Sequence, residues 1–183
     1  MGWSSTGDPV AVLNARAIAM GWGMRAYEDL DFVQPELNAL RDVWRDKTRE
    51  KGWPCRADFD ARSLKPFLTN ISIVERIATG SGAWRYRYRL TGTALVHLFG
   101  ESTGRWLDEY IPAPFLERWT LGYDTVLAGN APLRFISRFE LPQVSWLDGE
   151  SFSAPLSNGS APPHMILGAL YVTPKQQIKT MAG

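Results

Sequence analysis

From Trp84 to Leu90 the chain alternates without a slip: Trp84, Tyr86, Tyr88 and Leu90 are apolar or aromatic, and Arg85, Arg87 and Arg89 stand between them. A period of two belongs to an extended strand, which sends the rings to one face and the guanidiniums to the other. Thr91-Gly92 ends the alternation, and a short apolar segment follows with Ala94, Leu95, Leu98 and Phe99. Gly100 and Gly104 then bracket Glu101-Ser102-Thr103. A strand that feeds short helices and glycine turns predicts a sheet with a lid over one face, and therefore a pocket. That arrangement points to a sensing or binding module.

The remaining composition narrows the reading by exclusion. A chain of 183 residues with 45% hydrophobic residues can build one core. Twenty basic against 19 acidic residues give a net charge of +1. No electrostatic footprint for nucleic acid is present, and the Arg and Tyr side chains of the opening motif point to opposite faces rather than to one stacking surface. Cys55 is the sole cysteine, so neither an intrachain disulfide nor a cysteine zinc cluster is expected, and a reducing cytoplasm is the expected location. Asn70-Ile71-Ser72 and Asn158-Gly159-Ser160 match the glycosylation pattern and are read as chance. The longest apolar run, residues 9–24, is interrupted by Asn14, Arg16, Gly21 and Gly23. It falls short of a bilayer core of about 30 Å, so no membrane contact is expected.

Three regions are expected along the chain: an N-terminal extension over 1–33, a folded domain over 34–173 with its core from 68, and a C-terminal tail over 174–183. The extension is read as flexible or as a short docking helix, with a weak helical patch over 10–20. Met1, Met20 and Met24 leave the translation start open. Pro35 suits a first helical position, and Leu37, Leu40, Val43 and Trp44 form one stripe, which predicts an amphipathic helix over 35–51 ending at Gly52. An extended connector follows, with Asp60 as the cap of a short helical turn through Leu64 and Phe67.

Strands are expected over 69–77 and 84–91, with Gly80-Ser81-Gly82 as the turn between them. Short helical turns over 92–111 lead into a longer helix over 112–127, whose stripe is Phe115, Leu116, Trp119, Tyr123 and Val126. Residues 133–141, 150–156 and 164–172 read as the last three strands, with Asp148-Gly149 as a turn signal.

Two strands, a helical excursion and three strands make an order that resembles a PAS domain. Gly92-Thr93, Leu98-Phe99-Gly100, Thr103-Gly104-Arg105 and Asp108-Glu109-Tyr110 resemble its local wording. More narrowly, the chain is similar to a proteobacterial PAS family formerly catalogued as a domain of unknown function. That family opens with a helix carrying Leu-x-x-x-Trp, met here within 35–51. Its connector appears as Pro54-Cys55-Arg56-Ala57-Asp58-Phe59-Asp60, and its strand motif as Arg87-Tyr88-Arg89-Leu90-Thr91-Gly92-Thr93. Its late blocks appear as Pro155-Leu156-Ser157-Asn158-Gly159 and Ile166-Leu167-Gly168-Ala169. The resemblance covers about 35–173. It implies an α+β fold, a five-stranded antiparallel sheet with helices on one face and an N-terminal amphipathic helix. It also implies signal sensing or protein contact, commonly with dimerisation through that helix. It carries over no ligand.

Candidate chemistry is sparse. His97 and His164 are the only histidines. Haem-binding PAS domains place their ligand on the later helix, here 112–127, which has no histidine, so His97 is read as an ordinary helix-surface or core residue. A flavin-binding site of the light-sensing kind would need its cysteine in the helical segment, and Cys55 lies upstream. Haem and flavin are therefore not expected, and no metal site is expected. The chain contains no nucleophile elbow, no His-Glu-x-x-His and no phosphate loop. Asp108 and Glu109 are the carboxylates an enzymatic reading would use, and capping or solvating a loop is preferred for both. The expected reading is not an enzyme but a stand-alone PAS-type sensory or regulatory domain. It would bind a small apolar or aromatic molecule, a signalling partner protein, or both.

Trp84, Trp106 and Trp119 fall on elements expected to line the interior. The predicted pocket gathers Tyr86, Tyr88, Leu98, Phe99, Trp106, Trp119, Phe135 and Phe139, which share the face opposite the arginines. The alternative is a dimerisation module with a filled core and no ligand. Its outer sheet face carries Arg85, Arg87, Arg89, Arg134 and Arg138, covered in cis or in trans by helix 35–51. Pairing of those arginines with Glu75 and Glu140 is the ordinary explanation for them.

Overall fold

The computed structural model describes residues 7–80, 82–141, 144–159 and 162–173, with side chains for all of these except 49–51, 61, 140–141, 144–146 and 173. Six strands form one antiparallel sheet in the order β1-β4-β5-β6-β2-β3. They are β1 Met24–Tyr27, β2 Ile71–Ala78, β3 Trp84–Thr91, β4 Leu133–Leu141, β5 Val144–Leu156 and β6 Met165–Thr173. The last five are the strands read from the sequence. The sixth, β1, extends the expected five by pairing with the far side of β4, Ala26 opposite Phe135.

Six α-helices are present among the described residues: α1 Pro9–Met20, α2 Pro35–Lys51, α3 Ala61–Leu64, α4 Thr93–Phe99, α5 Leu107–Tyr110 and α6 Ala113–Gly129, with one 3-10 turn at Arg56–Asp58. The fold is the expected α+β arrangement: α1 and α6 lie on one face of the sheet, and the amphipathic helix α2 covers the other. Strand parity separates the two cores. Ile71, Ile73, Phe152, Ala154, Leu156, Leu167 and Ala169 face α2. Val74, Tyr86, Tyr88, Leu133, Phe135 and Ile166 face α1 and α6. Burial of this apolar surface on both sides supplies the main stabilising term.

Helix α2 lies on the outer face in cis. Leu37 and Leu40 are fully buried and Trp44 nearly so, and Trp44 Nε1 donates to the Pro155 carbonyl at 3.2 Å. Its first turn has no side-chain cap of its own. Glu150 supplies one from the sheet, accepting from Val33 N at 3.2 Å and Gln34 N at 2.9 Å. A carboxylate at that end also complements the helix macrodipole.

Helix α1 packs on α6 through Leu13 and Ala17. Asn14, which interrupts the apolar run, reads both backbone groups of Ala26 from its amide, at 2.9 and 2.8 Å. It stands where a further strand would pair with β1. At the opposite edge, Tyr88 N donates to Arg105 O at 3.0 Å and Gly104 N to Tyr88 O at 2.8 Å. Both edges of the sheet are thus partly occupied, which restrains strand addition.

Two glycines are fixed by close approach. A Cβ at Gly92 would fall 2.3 Å from the Leu68 carbonyl oxygen, so the chain can leave β3 there only without a side chain. Gly149, with Asp148, is read from sequence as a turn. It lies instead inside β5, with Asp148 opposite Thr173 and Gly149 opposite Val172. A Cβ at Gly149 would meet Leu170 Cδ1 at 2.8 Å and Phe139 Cε2 at 3.0 Å. Crowding, not turning, explains that glycine. The tail over 174–183 lies outside the described residues.

Candidate functional site

Helices α4, α5 and α6 cross the inner face of β3, β4, β5 and β6 without filling it. A cavity of about 430 Å³ remains between sheet and helices. That volume falls within the range of pockets that hold small organic ligands, roughly 300–1,000 Å³. Its aromatic wall comes from Tyr88 on β3, Phe99 on α4, Trp119 and Tyr123 on α6, and Phe135 and Phe139 on β4. Trp119 stacks on Phe139 at 6.3 Å between ring centroids, and Phe99 meets the same ring edge-on at 5.3 Å. Pro112 and Phe115, both exposed, also line it, so the cavity reaches the surface beside the start of α6.

Five of the eight residues expected at the pocket therefore line it: Tyr88, Phe99, Trp119, Phe135 and Phe139. Tyr86, Leu98 and Trp106 do not. Tyr86 is on the predicted face, but Tyr123 packs against it at 5.3 Å and closes the space there. Its hydroxyl donates to Asp124. Leu98 lies beside the Leu95–Phe99 line that α4 turns toward the cavity, because residues four apart share a helix face and the third lies to one side.

Trp106 pairs across the edge with Arg87, outside the inner core. The Arg85 guanidinium lies 4.2 Å from its ring centroid and that of Arg87 5.6 Å. Trp84 is likewise outside, 56% exposed, with Arg76 over its ring at 4.7 Å. In both cases a guanidinium packs on the ring outside the inner core.

The arginines set opposite the aromatics are engaged locally. Arg85 reaches around the sheet edge to make a fork on Asp108 at 2.8 and 2.7 Å and a contact with Glu109 at 3.0 Å. The Arg85 bond holds the Asp108 carboxyl below the usual range. Arg89 pairs with Glu75 at 3.0 Å and Arg138 with Asp148 at 2.9 Å. Arg134 is not a surface cation: it is buried against Glu150 at 2.6 Å. The Glu140 side chain lies outside the described residues.

Several lining groups escape the strand-parity argument. Leu95, Tyr110 and Tyr123 join the apolar wall, and hydroxyls of Thr91, Ser102 and Ser137 interrupt it. Thr91 and Ser102 hydrogen-bond each other at 2.7 Å, and Tyr110 donates to the Phe99 carbonyl. Burial raises the Tyr88 and Tyr123 hydroxyl pKa values well above the ordinary tyrosine value, so both are neutral donors at neutral pH.

Arg118 also lines the cavity, and helical spacing could have found it. It follows Phe115 by three and precedes Gly122 by four, and all three line the same space. Among the described residues no cluster of three or more His, Cys, Asp or Glu side chains is placed to hold a metal. Nor is any helix among them long and apolar enough to cross a membrane.

Among curated proteins nothing matches this chain. Among solved structures it is similar to one described as "Structure of an RNA-binding Light-Oxygen-Voltage Receptor", with a TM-score of 0.40 and 13% identity. That likeness covers 65% of this chain and 35% of the receptor chain, so this chain spans about a third of the receptor's length. The family profile described as a PAS domain matches residues 33–171, from just before α2 to near the end of β6. The chain belongs to the PAS domain family.

Proposed function

We propose that this PAS domain, a sensory and regulatory type of module, works by taking a small apolar or aromatic molecule into the space between sheet and lid helices. The observation that carries this reading is the cavity of about 430 Å³ behind Tyr88, Trp119 and Phe139. An apolar guest seated there gains dispersion contacts along the aromatic wall. The same observation favours ligand sensing over the rival reading of an interaction module with a filled core. Communication to a partner protein would run through α4, α5 and α6, which form the lid. The neutral probe 2-naphthylacetamide tests the reading on the full chain. At a hundredfold excess over Kd it should raise the melting temperature by roughly 5–10 °C. An unshifted transition, with no adduct in native mass spectrometry, would contradict it.

A further inference from the structure

Arg118 is the one charged residue among the described residues that line the cavity. It is 8% exposed. Its Nη1 donates to the Trp22 carbonyl at 2.9 Å and the Arg138 carbonyl at 3.2 Å, and its guanidinium lies 5.3 Å from the Phe139 ring centroid. Its Nη2 is buried with no hydrogen-bond partner. No carboxylate among the described residues pairs with it, and burial pulls the pKa down to about 10, which still leaves the group cationic at neutral pH.

A buried guanidinium left without a counter-charge is costly, and a buried donor left unmade adds to that cost. Its planar fork suits a carboxylate in particular. The geometry points to a ligand of one class, and this inference rests on the cavity reading above: an aromatic or aliphatic monocarboxylate. Its apolar body would lie among Tyr88, Trp119, Phe135 and Phe139, and its carboxylate would be paired with Arg118. An aliphatic acid or an aryl acid would satisfy the same two requirements. A dicarboxylate would bring a second charge to a cavity with no second cationic lining residue among those described.

Isothermal titration of the full chain with 2-naphthylacetate and with its neutral amide separates this inference from the cavity reading. The acid should bind at least about tenfold tighter than the amide, as expected for a charge-assisted hydrogen bond. Arg118→Met should remove that preference while the amide still binds. The wild-type Arg118 Nε–H resonance supplies a second readout should Arg118→Met fail to fold, and it should move with the acid and not with the amide. Equal affinities, or an unmoved Arg118 resonance, would overturn the carboxylate assignment and leave the cavity reading standing. Binding of neither probe would overturn both.

Discussion

Glu150 serves two elements at once. Its carboxylate takes the Arg134 Nε hydrogen at 2.6 Å and two backbone N–H groups at the head of α2, and it is 2% exposed. Removing it leaves a buried guanidinium and an uncapped helix. Glu150→Ala should therefore cost about 3–5 kcal/mol in urea unfolding. The double change Arg134→Met with Glu150→Leu should cost markedly less, because it removes both charges together. Neither role was legible in the sequence: alternation places Glu150 on a strand and cannot say that a helix of distant residues begins above it. Arg134 is read from sequence on the outer sheet face that α2 can cover, but the strand pattern could not name Glu150 as its partner there. Tyr88 and Phe135 were legible because parity alone sets their face. Trp106 was not, since a residue after a glycine turn has no parity to inherit.

At the scale of elements, α2 spends its apolar stripe within its own chain. Leu40→Ala should appear as lost stability, about 2–5 kcal/mol, with no change of oligomeric state in sedimentation. A loss of dimer without a loss of stability would instead favour the interaction-module reading. Helix α6 carries a pH-dependent contribution through Asp124, whose pKa burial raises despite the Tyr86 hydroxyl and Arg76. A carboxyl with a raised folded-state pKa favours the fold most when protonated. Its contribution is full below the unfolded-state value and is lost as pH rises through the folded-state one. Relative to Asp124→Asn, the wild type should gain stability as pH falls from neutral, measured by urea midpoints across the acid range. Helix and strand identities came from periodicity and caps, which are local. The position of β1 beside β4 did not, because four residues, Met24–Tyr27, offer too little pattern. Asp148-Gly149 misled because a glycine forced by a crowded sheet face looks the same in sequence as one forced by a turn.

At the scale of the whole molecule, the two faces of the sheet divide the work. The face under α2 is packed, and the face under α4, α5 and α6 holds the cavity. Gly122 on α6 lines that cavity, and an added Cβ there would meet only Phe135 Cε1, at 3.9 Å. Gly122→Ala should stabilise the protein by about 0.5–1 kcal/mol through helix propensity alone. Gly122→Leu should project into the cavity and obstruct 2-naphthylacetamide, read as a reduced thermal shift. The central claim is that the guest lies between sheet and lid, and intermolecular nuclear Overhauser effects on the full chain test it most directly. With bound 2-naphthylacetamide, the naphthyl protons should show contacts to the rings of Tyr88, Trp119 and Phe139. Contacts confined to exposed rings such as Trp84, or none to those three, would contradict the account.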